Sequence, residues 1–424
     1  MLKTTNAGGA GTRRILGASL IGTAVEFYDF YIYATAASLV FGPMFFPAAS
    51  PASQLLSAYA TFAIAFIARP LGATVFGHFG DRIGRKSTLV ASLLLMGLST
   101  VAIGFLPSYA QAGWLAPALL CVLRFGQGFG LGGEWGGAAL LAVENAPATH
   151  KARYGIFPQL GAPVGFIAAN GLFLLLGLLL TPEQFKAWGW RLPFIASSLL
   201  VGLGLWVRLK LTETPDFAAA LKEKAPPKAP LLDVITQYPL QSIGGAFAAV
   251  ACFANFYIAT AFALGYGATV LGYSRQAFLG VQLGAIGFMA LGTIISGYWA
   301  DARSPRRVLM WGCVLTAMVG VVLAPMLGSG SLLAVWAFLS LMLLMMGFVY
   351  GPLGAFLPGL FPARVRYTGA SMAFNIGGII GGGLTPLIAA SLAAKGGLVP
   401  VGLYLSATAL ISLAALGGLR RPAV

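Results

Sequence analysis

The sequence predicts an all-α membrane protein whose twelve transmembrane helices form two parallel six-helix bundles. Three observations lead to this fold class. Of 424 residues, 58% are hydrophobic and only 9% are charged, whereas a soluble domain carries about 25% charged residues. The chain also contains about twelve apolar stretches, each close to the roughly 20 residues that span a bilayer. Finally, a charged turn between two such stretches returns in weaker form half a chain later.

The apolar stretches give the predicted helices in chain order. Polar or Gly- and Pro-containing connections separate each stretch from the next. The predicted helices are 15–42, 55–78, 87–106, 113–143, 153–181, 189–210, 242–271, 277–300, 308–328, 331–358, 367–392 and 397–419.

A polar segment at 211–240 divides the first six predicted helices from the last six. Its proline cluster cannot continue a helix, so we expect a cytoplasmic linker with at most one short surface helix. The expected domains are therefore bundles at 15–210 and 241–419. Residues 1–14 and 420–424 are expected to form the cytoplasmic ends.

Basic residues are distributed unevenly between alternate connections. If residues 1–14 are cytoplasmic, twenty Lys and Arg residues fall on that side and four on the other. This bias follows the positive-inside rule, so we expect both termini in the cytoplasm. The formal net charge of +15 is then a consequence of topology, and nucleic-acid binding is not expected. The four outer residues are Lys186, Arg191, Arg275 and Lys395.

The charged turn at 77–86 follows the second predicted helix, and its echo at 297–307 follows the eighth. Two halves of the same orientation imply a parallel repeat about an axis along the membrane normal. The second copy has lost much of the pattern, which suggests that the two halves contribute unequally. We expect a cytoplasmic gate formed by Gly77, Asp81, Arg82, Gly84, Arg85, Lys86 and Asp301.

Five ionisable residues fall inside predicted helices: Glu26, Asp29, Arg69, Arg124 and Glu134. Charged side chains are expensive in a bilayer, so each is a functional hypothesis. All five belong to the first half of the chain, which is where proton coupling is expected. Arg69 precedes a proline near the charged turn, so we expect it either to snorkel towards the cytoplasm or to pair locally.

The first helix carries two carboxyl groups on one face. Glu26, Asp29 and Tyr33 are spaced i, i+3 and i+7. Two carboxylates one turn apart in a low-dielectric cavity cannot both ionise freely, so one of them could pick up a proton on one side and release it on the other. The alternative is that both are static ion-pair partners of Arg69 or Arg124.

The fourth predicted helix places Arg124, Gln127 and Glu134 within one arc of its surface. The arginine and the glutamate lie about 15 Å apart along the axis, so they cannot pair with each other. Each could pair with a carboxyl group of the first helix. Arg124 could instead bind a substrate carboxylate through its planar fork, and Glu134 could assist proton transfer.

The second half offers polar but uncharged candidates for a binding cavity. Aromatic faces and amides can position a small polar molecule, although an aromatic residue in a helix more often belongs to the core. The candidates are Asn255, Tyr257, Tyr266, Gln282, Tyr350 and Asn375.

No pattern for a metal, a cofactor or enzymatic chemistry is present in the sequence. Cys121, Cys252 and Cys313 each lie inside an apolar segment without a spaced partner. The run from Gly80 to Ser87 lacks the spacing of a phosphate-binding loop, and no strand is predicted before it. We therefore expect neither a cofactor nor an enzyme, and the oligomeric state stays open.

Several of these segments resemble a known family. The first charged turn resembles the signature between helices two and three of the major facilitator superfamily, and Arg124-x-x-Gln127-Gly128 resembles its fourth-helix motif. Other segments are similar to the metabolite:proton symporter family within that superfamily, and the matches together cover nearly the whole chain. These segments are Gly22–Tyr33, Gln127–Ala139, Trp188–Phe194 and Arg364–Ser371.

The resemblance implies secondary active transport of a small molecule with protons across a bacterial cytoplasmic membrane. It also implies alternating access, in which two bundles rock around a central site. The family includes carriers of shikimate, α-ketoglutarate, citrate-like acids and proline or betaine. A carboxylate substrate is our first expectation, and a zwitterionic osmolyte or amino acid is the alternative. Antiport with protons and a transporter-like nutrient sensor are further alternatives.

Overall fold

The computed structural model describes residues 9–47, 50–83, 85–209, 230–362 and 365–419. Within these ranges the chain is helical almost throughout and forms no strand. Twelve long helices follow one another, which agrees with the number predicted from the apolar stretches.

The long helices are numbered α1 to α12 in chain order. Four of them contain a break or a π-helical turn and are therefore given in parts. They are α1 (Gly9–Ala36), α2 (Pro51–Ile83), α3 (Arg85–Ile103), α4 (Leu115–Leu131 and Glu134–Glu144), α5 (Lys151–Leu179), α6 (Leu192–Leu209), α7 (Pro239–Tyr257, Ile258–Phe262 and Ala263–Thr269), α8 (Arg275–Ala302), α9 (Pro305–Val321 and Leu323–Leu327), α10 (Leu332–Tyr350), α11 (Arg366–Gly378, Ile379–Gly383 and Thr385–Gly396) and α12 (Leu398–Gly418).

Shorter helical elements occupy the connections between the long helices. A π-helical turn and a short helix extend α1, and other short helices precede α4, α6 and α7 or follow α10. These elements are Ala37–Phe41, Gly42–Phe45, Tyr109–Ala112, Pro182–Ala187, Gly189–Arg191, Pro230–Gln237, Leu353–Phe356 and Pro358–Leu360.

Nine helices of the described chain are long and apolar enough to cross a membrane by themselves. The remaining three are α1, α3 and α9. The carboxyl and tyrosine side chains of α1 reduce its apolar character, the apolar part of α3 is limited to Val90–Ile103, and the main part of α9 has 17 residues. Helices of this kind can still cross a membrane as part of a bundle, because the neighbouring helices shield their polar groups from lipid.

The helices pack as two bundles, α1 to α6 and α7 to α12. The bundles meet mainly where α5 packs against α8 and α2 packs against α11. Within the first bundle, the glycine-rich part of α4 allows the close approach that the sequence predicts for lipid-embedded helices. A Cβ atom at Gly128 would lie 2.1 Å from the carbonyl oxygen of Ala65, and one at Gly132 would lie 2.0 Å from that of Arg69.

The backbone repeats between the two bundles, as the two charged turns predict. A π-helical turn is associated with the first helix of each bundle: Ala37–Phe41 directly follows α1, and Ile258–Phe262 lies within α7. The second π-helical turn begins 221 residues after the first, and the two charged turns are 220 residues apart. Because a π-helical turn adds one residue to a helix and displaces its carbonyl groups, its recurrence is strong support for a duplicated architecture.

The expected linker and part of the expected gate lie outside the described residues. Residues 210–229 are not described, the helix Pro230–Gln237 follows them, and α7 then begins at Pro239. Gly77 lies within α2, whereas Gly84 and the side chains of four gate candidates are outside the described part. Those four are Asp81, Arg82, Arg85 and Lys86.

We name the two ends of the molecule by their residues. The basic end contains the start of α5, the end of α8 and the other connections in which the basic residues are concentrated. The opposite end contains the connections near residues 47, 107, 181 and 272.

Candidate functional site

Aromatic side chains form a cluster between the two bundles, near the middle of α1, α2 and α7. The ring centroid of Phe62 lies 5.2 Å from that of Phe30 and 5.4 Å from that of Phe66. From the other bundle, the ring of Tyr257 lies 5.2 Å from Phe62 and 5.6 Å from Phe66. We call these four buried residues the central cluster. Its tilted and edge-to-face contacts are the favoured geometry for aromatic pairs.

The π-helical turn of α11 packs directly on this cluster. A Cβ atom at Gly382 or Gly383 would come within 2.8 Å of the Phe66 side chain. The glycine-rich sequence therefore lets a backbone approach the central cluster closely. Around the cluster, π-helical turns lie within α7 and α11 and directly after α1, and such turns are frequent at functional sites.

Arg124 of α4 extends its guanidinium group into the aromatic cluster and is fully buried. Its Cζ atom lies 3.8 Å from the ring centroid of Tyr33, 4.5 Å from that of Phe30 and 4.9 Å from that of Phe62. Nη1 donates a hydrogen bond to Oε1 of Gln127, but Nε and Nη2 have no hydrogen-bond partner in the part of the chain that the structure describes. Among the described residues no carboxylate pairs with this arginine, so the alternative of pairing with a carboxyl group of α1 is wrong in this conformation.

Arg69 of α2 carries a second buried guanidinium group. Its Cζ atom lies 4.5 Å from the Phe30 ring centroid and 4.7 Å from that of Phe66. The residue is only 5% exposed, so the prediction that it snorkels to the cytoplasmic surface is wrong. Glu26 is close enough to interact with it electrostatically, and the expectation of a local pair stays a prediction. Two cationic groups thus share the ring of Phe30.

Hydrogen bonds connect Arg124 to the backbone at Asp29. The Nε2 atom of Gln127 donates to the backbone carbonyl of Asp29 at 2.9 Å and to the hydroxyl oxygen of Thr100 at 2.9 Å. The Asp29 side chain is fully buried. Its Oδ1 atom accepts a hydrogen bond from Ser197, and its Oδ2 atom has no hydrogen-bond partner in the described chain. A displacement of Arg124 would therefore be transmitted to the helix segment that carries this carboxyl group.

Glu134 occupies the break in α4. It begins the second part of that helix, directly after Gly132 and Gly133, and it is 2% exposed. The hydroxyl group of Ser92 donates to Oε1 of Glu134 at 2.8 Å. A carboxylate is favoured at a helix start, because the backbone N–H groups there carry partial positive charge.

The polar candidates of the second bundle occupy different environments. Tyr257 belongs to the central cluster, and the hydroxyl group of Tyr350 is buried without a hydrogen-bond partner among the described residues. The Nδ2 atom of Asn255 donates to the carbonyl of Met342 at 3.1 Å, within its own bundle. Gln282 donates to the carbonyls of residues 259 and 260 in the π-helical turn of α7, at 3.0 and 2.8 Å. Tyr266 stacks on a phenylalanine ring of the same helix.

At the basic end, Asp301 of α8 caps the start of α5 across the bundle interface. Its carboxylate accepts hydrogen bonds from the backbone N–H groups of Ala152 at 2.8 Å and Arg153 at 3.2 Å. The Nε atom of Arg153 lies 3.0 Å from Oδ2 of Asp301. The Asp301 side chain is 5% exposed and that of Arg153 is 35% exposed. This predicted gate residue therefore holds the two bundles together.

A second set of contacts at the basic end uses the break in α4. The carbonyl group of Gly132 accepts a hydrogen bond from Asn375 at 3.0 Å, and that of Gly133 accepts one from Tyr367. Next to them the rings of Trp135 and Phe374 stack in parallel, with their centroids 3.7 Å apart. The break frees carbonyl groups that a continuous helix would engage, and α11 of the other bundle binds them.

The opposite end is also closed by contacts between the bundles. Ala261 lies in the π-helical turn of α7, and its carbonyl group accepts hydrogen bonds from Tyr59 at 2.7 Å and Ser38 at 3.1 Å. The Nε2 atom of Gln276 donates to the carbonyl of Gly177 at 3.0 Å. Between the bundles, a cavity of about 10 Å³ lies beside Tyr31, Thr35, Asn170 and Gln282. A substrate would fit only after the bundles move apart.

Sequence reasoning did not identify several of these residues. Gln159 accepts a hydrogen bond from the Trp135 indole at 3.1 Å and donates to the carbonyl of Tyr350 at 2.9 Å. Phe62 and Phe66 were also not singled out, although an aromatic pair at i and i+4 marks one helix face. Nothing in the sequence pattern indicates that Ser38 and Tyr59 would bind a carbonyl group of the other bundle.

The architecture has counterparts among known proteins. Residues 19–386 match the sequence profile of the Major Facilitator Superfamily, which covers most of the chain. The chain belongs to the Major Facilitator Superfamily. This match confirms the predicted family and the predicted helical fold.

Relatives of this superfamily protein match it along nearly its whole length. It is 51% identical over 408 residues to the inner membrane metabolite transport protein YhjE of Escherichia coli strain K12, covering 95% of this chain and 93% of that one. It is 39% identical over 414 residues to the shikimate transporter of the same organism, covering 94% and 92% of the two chains. Among solved structures, the proton:xylose symporter XylE bound to 6-bromo-6-deoxy-D-glucose matches with a TM-score of 0.73 at 16% identity, covering 95% and 94%. This last likeness supports the fold alone.

These findings identify the protein as a multi-pass membrane transporter of small molecules. The family and the relatives are transporters, so the prediction of a transporter rather than an enzyme is confirmed.

Proposed function

We propose that this superfamily member is a proton-coupled symporter of a small metabolite that carries a carboxylate group. The observation that carries this proposal is the buried guanidinium group of Arg124, whose Nε and Nη2 atoms lack hydrogen-bond partners among the described residues. An unpaired buried cation with unused donors is costly. A substrate carboxylate would remove that cost, because it can accept both hydrogen bonds in the planar arrangement that arginine offers.

The surroundings of Arg124 favour an anionic group over a cationic one. The guanidinium groups of Arg124 and Arg69 both lie over the ring of Phe30, and among the described carboxyl groups Glu26 interacts electrostatically with Arg69. A quaternary ammonium group could bind an aromatic face, but three rings of the central cluster, Phe30, Phe62 and Phe66, already have a guanidinium group over them. A zwitterion remains the second candidate, with its carboxylate on Arg124 and its ammonium group directed elsewhere.

Proton coupling is assigned to the carboxyl groups of the first bundle. Asp29 is fully buried, with one oxygen lacking a partner, and it is linked to Arg124 through Gln127. Glu26 is within electrostatic range of Arg69. We propose that substrate binding at Arg124 shifts this network and changes the proton occupancy of Asp29 or Glu26, with Glu134 assisting.

Alternating access would be controlled by the contacts at the two ends. In the proposed orientation, which follows the positive-inside rule, the basic end and both termini face the cytoplasm of a bacterial cell. The gate would include Asp301 at the start of α5 and, from the first charged turn, Asp81, Arg82, Arg85 and Lys86. Tyr59, Ser38 and Gln276 would close the other side.

Uptake into proteoliposomes under an imposed pH gradient tests the coupling. With shikimate as the probe, wild type should accumulate the compound when the outside is acidic. Asp29→Asn should lose uphill accumulation, because its side chain cannot exchange a proton. Asp233→Asn, the same change on the short surface helix Pro230–Gln237, should leave accumulation intact. Unchanged accumulation after collapse of both the pH gradient and the membrane potential would contradict the proposal.

Arg124→Lys tests the carboxylate assignment. Lysine keeps the charge but lacks the planar fork. We expect the KM for shikimate uptake to rise by about tenfold or more, in line with about 1.5 kcal/mol or more for a charge-assisted bidentate contact. A zwitterion such as betaine, tested in parallel, separates the two candidate substrates. If Arg124→Lys changes the uptake of neither compound, Arg124 is not a substrate ligand.

A further inference from the structure

A cavity at the opposite end lies between the two bundles and is separate from the central cluster. Its volume is about 270 Å³, and its walls come from α5, the short helix Pro182–Ala187, the start of α8 and the extension of α1. Phe173, Phe185 and Leu279 give it an apolar floor. Pro182 and Lys186 on its rim are exposed, so it opens to the surrounding solution.

Two of the four basic residues on this side of the protein line the same cavity. Lys186 belongs to the first bundle and Arg275 to the second. Neither forms an ion pair among the described residues. Among the described residues no carboxylate lines the cavity. Glu183, in the same short helix as Lys186, is close enough to interact with it electrostatically. The chain therefore concentrates positive charge here, although it keeps such charge scarce elsewhere on this side.

We propose that this cavity is an outer binding site for small carboxylate anions, where substrate is captured before it reaches Arg124. The assignment rests on the proposed carboxylate substrate. An anion between Lys186 and Arg275 would reduce the repulsion between two cations that belong to different bundles. A cavity lined by charge of one sign also raises the local concentration of the opposite ion and speeds its capture.

The position of this outer site relates it to opening of that end. Gln276, which lines the cavity, donates the hydrogen bond to the carbonyl of Gly177 that joins α8 to α5. Arg275 precedes it at the start of α8. An anion held in the cavity would therefore lie next to the contact that must break when the opposite end opens. Capture of the anion in the cavity and its entry towards Arg124 would then be successive steps along one path.

Thiol labelling of the full-length protein in lipid vesicles tests the outer site without any need for transport. The reporter is Leu180→Cys, which lines the cavity and is partly exposed. We compare its reaction rates with an anionic and a cationic methanethiosulfonate reagent of similar size. The protein without the added cysteine is the background control, since Cys252 and Cys313 are buried and Cys121 is half-buried.

The expected result is a preference for the anionic reagent that depends on the two cations. Lys186→Gln and Arg275→Gln should each lower the ratio of anionic to cationic rate by about threefold at low salt, and less at high salt. Lys395→Gln removes an exposed outer cation that does not line the cavity, so the ratio should not change. If all three variants lower the ratio equally, or none does, the outer site is wrong.

Protection by a probe anion distinguishes this site from the central one. Shikimate should slow the labelling of Leu180→Cys in wild type and also in Arg124→Gln, in which the central contact is lost. Loss of protection in Arg124→Gln would overturn the inference of an independent outer site. If wild type shows protection and the charge-dependent ratio but no uptake of shikimate, the proposed transport function fails while the outer anion site stands.

Discussion

Replacement of Asp301 by alanine should open the basic end of the molecule. This carboxylate accepts two backbone hydrogen bonds at the start of α5 and pairs with Arg153 at 3.0 Å. All of these contacts join the second bundle to the first. When the basic end opens, water forms hydrogen bonds with these polar groups instead. The alanine variant therefore destabilises the closed state and leaves the stability of the open state unchanged.

The free-energy change caused by Asp301→Ala is the sum of the lost helix cap and the lost pair with Arg153, and the exposure of the Arg153 side chain limits the second contribution. Loss of a helix-capping side chain costs about 1 kcal/mol, within a range of about 0.5 to 2. The pair with Arg153 adds less than about 1 kcal/mol, because that side chain is 35% exposed and solvent screens the pair. A total of about 2 kcal/mol corresponds to about a 30-fold shift from closed to open. Arg153→Gln, which keeps the cap, should shift the equilibrium by less than about fivefold.

Distances between spin labels at the basic end measure this equilibrium directly. Asn145 at the end of α4 and Arg307 at the start of α9 are exposed and belong to different bundles. Cysteine substitutions at these two positions carry the labels in lipid nanodiscs. Asp301→Ala should transfer population from the short to the long distance. Asp301→Asn, which retains one carbonyl acceptor for a backbone N–H group, should fall between the alanine variant and wild type.

The order of the variants decides whether the reasoning holds. If Arg153→Gln shifts the distances as much as Asp301→Ala, the exposed ion pair and not the helix cap would hold the gate. If Asp301→Ala leaves the distance distribution of wild type unchanged, this contact does not control the basic end.

Three further predictions concern packing and closure. Gly128→Ala should destabilise the first bundle by about 1 to 3 kcal/mol because of overpacking, and this loss should be measured as a fall in Tm. The control is Gly17→Ala, which has open space around its Cβ position and should leave Tm within about 2 °C of wild type. Equal changes in Tm for the two variants would contradict this prediction. Tyr59→Phe should weaken closure of the opposite end by about 1 kcal/mol, seen as faster labelling of thiols placed beneath it, and an unchanged rate would exclude that role. A double-mutant cycle of Trp135→Ala and Phe374→Ala should give a coupling energy of about 1 kcal/mol in the equilibrium between the closed and the open basic end, as measured by the spin-label distances. Additive effects of the two substitutions would show that the stack does not act as a gate.

The membrane fold was accessible from the sequence because it depends on composition over long windows. A bilayer demands about 20 apolar residues per crossing, and such windows average over local detail. The repeat was visible in the two charged turns, although the second has kept only part of the pattern. The π-helical turns at Ala37–Phe41 and Ile258–Phe262 confirm the repeat but could not be foreseen, since tertiary packing stabilises such turns and no local residue pattern specifies them.

The sequence predicted which residues are candidates for the site, but it did not predict most of the contacts that these residues make. Glu26, Asp29 and Arg124 are candidates from the sequence alone, because a charge inside an apolar helix is conspicuous in any sequence. Their partners were not, because pairing depends on how separate helices are rotated against each other. Arg69 is an example. Its position near a helix end suggested an exposed head group, but it lies over the rings of Phe30 and Phe66.

By itself the sequence determined the number of membrane crossings, the division into two related bundles and the concentration of buried charge in the first of them. These properties follow from the free-energy cost of placing polar atoms in lipid. That cost applies to each segment of the chain independently of the others. Tertiary structure alone decided that Arg124 keeps unused donors among aromatic rings, that Asp301 caps α5, and that Lys186 and Arg275 share one cavity. Each of these facts joins residues far apart in the chain, and only the packing of whole helices sets such distances.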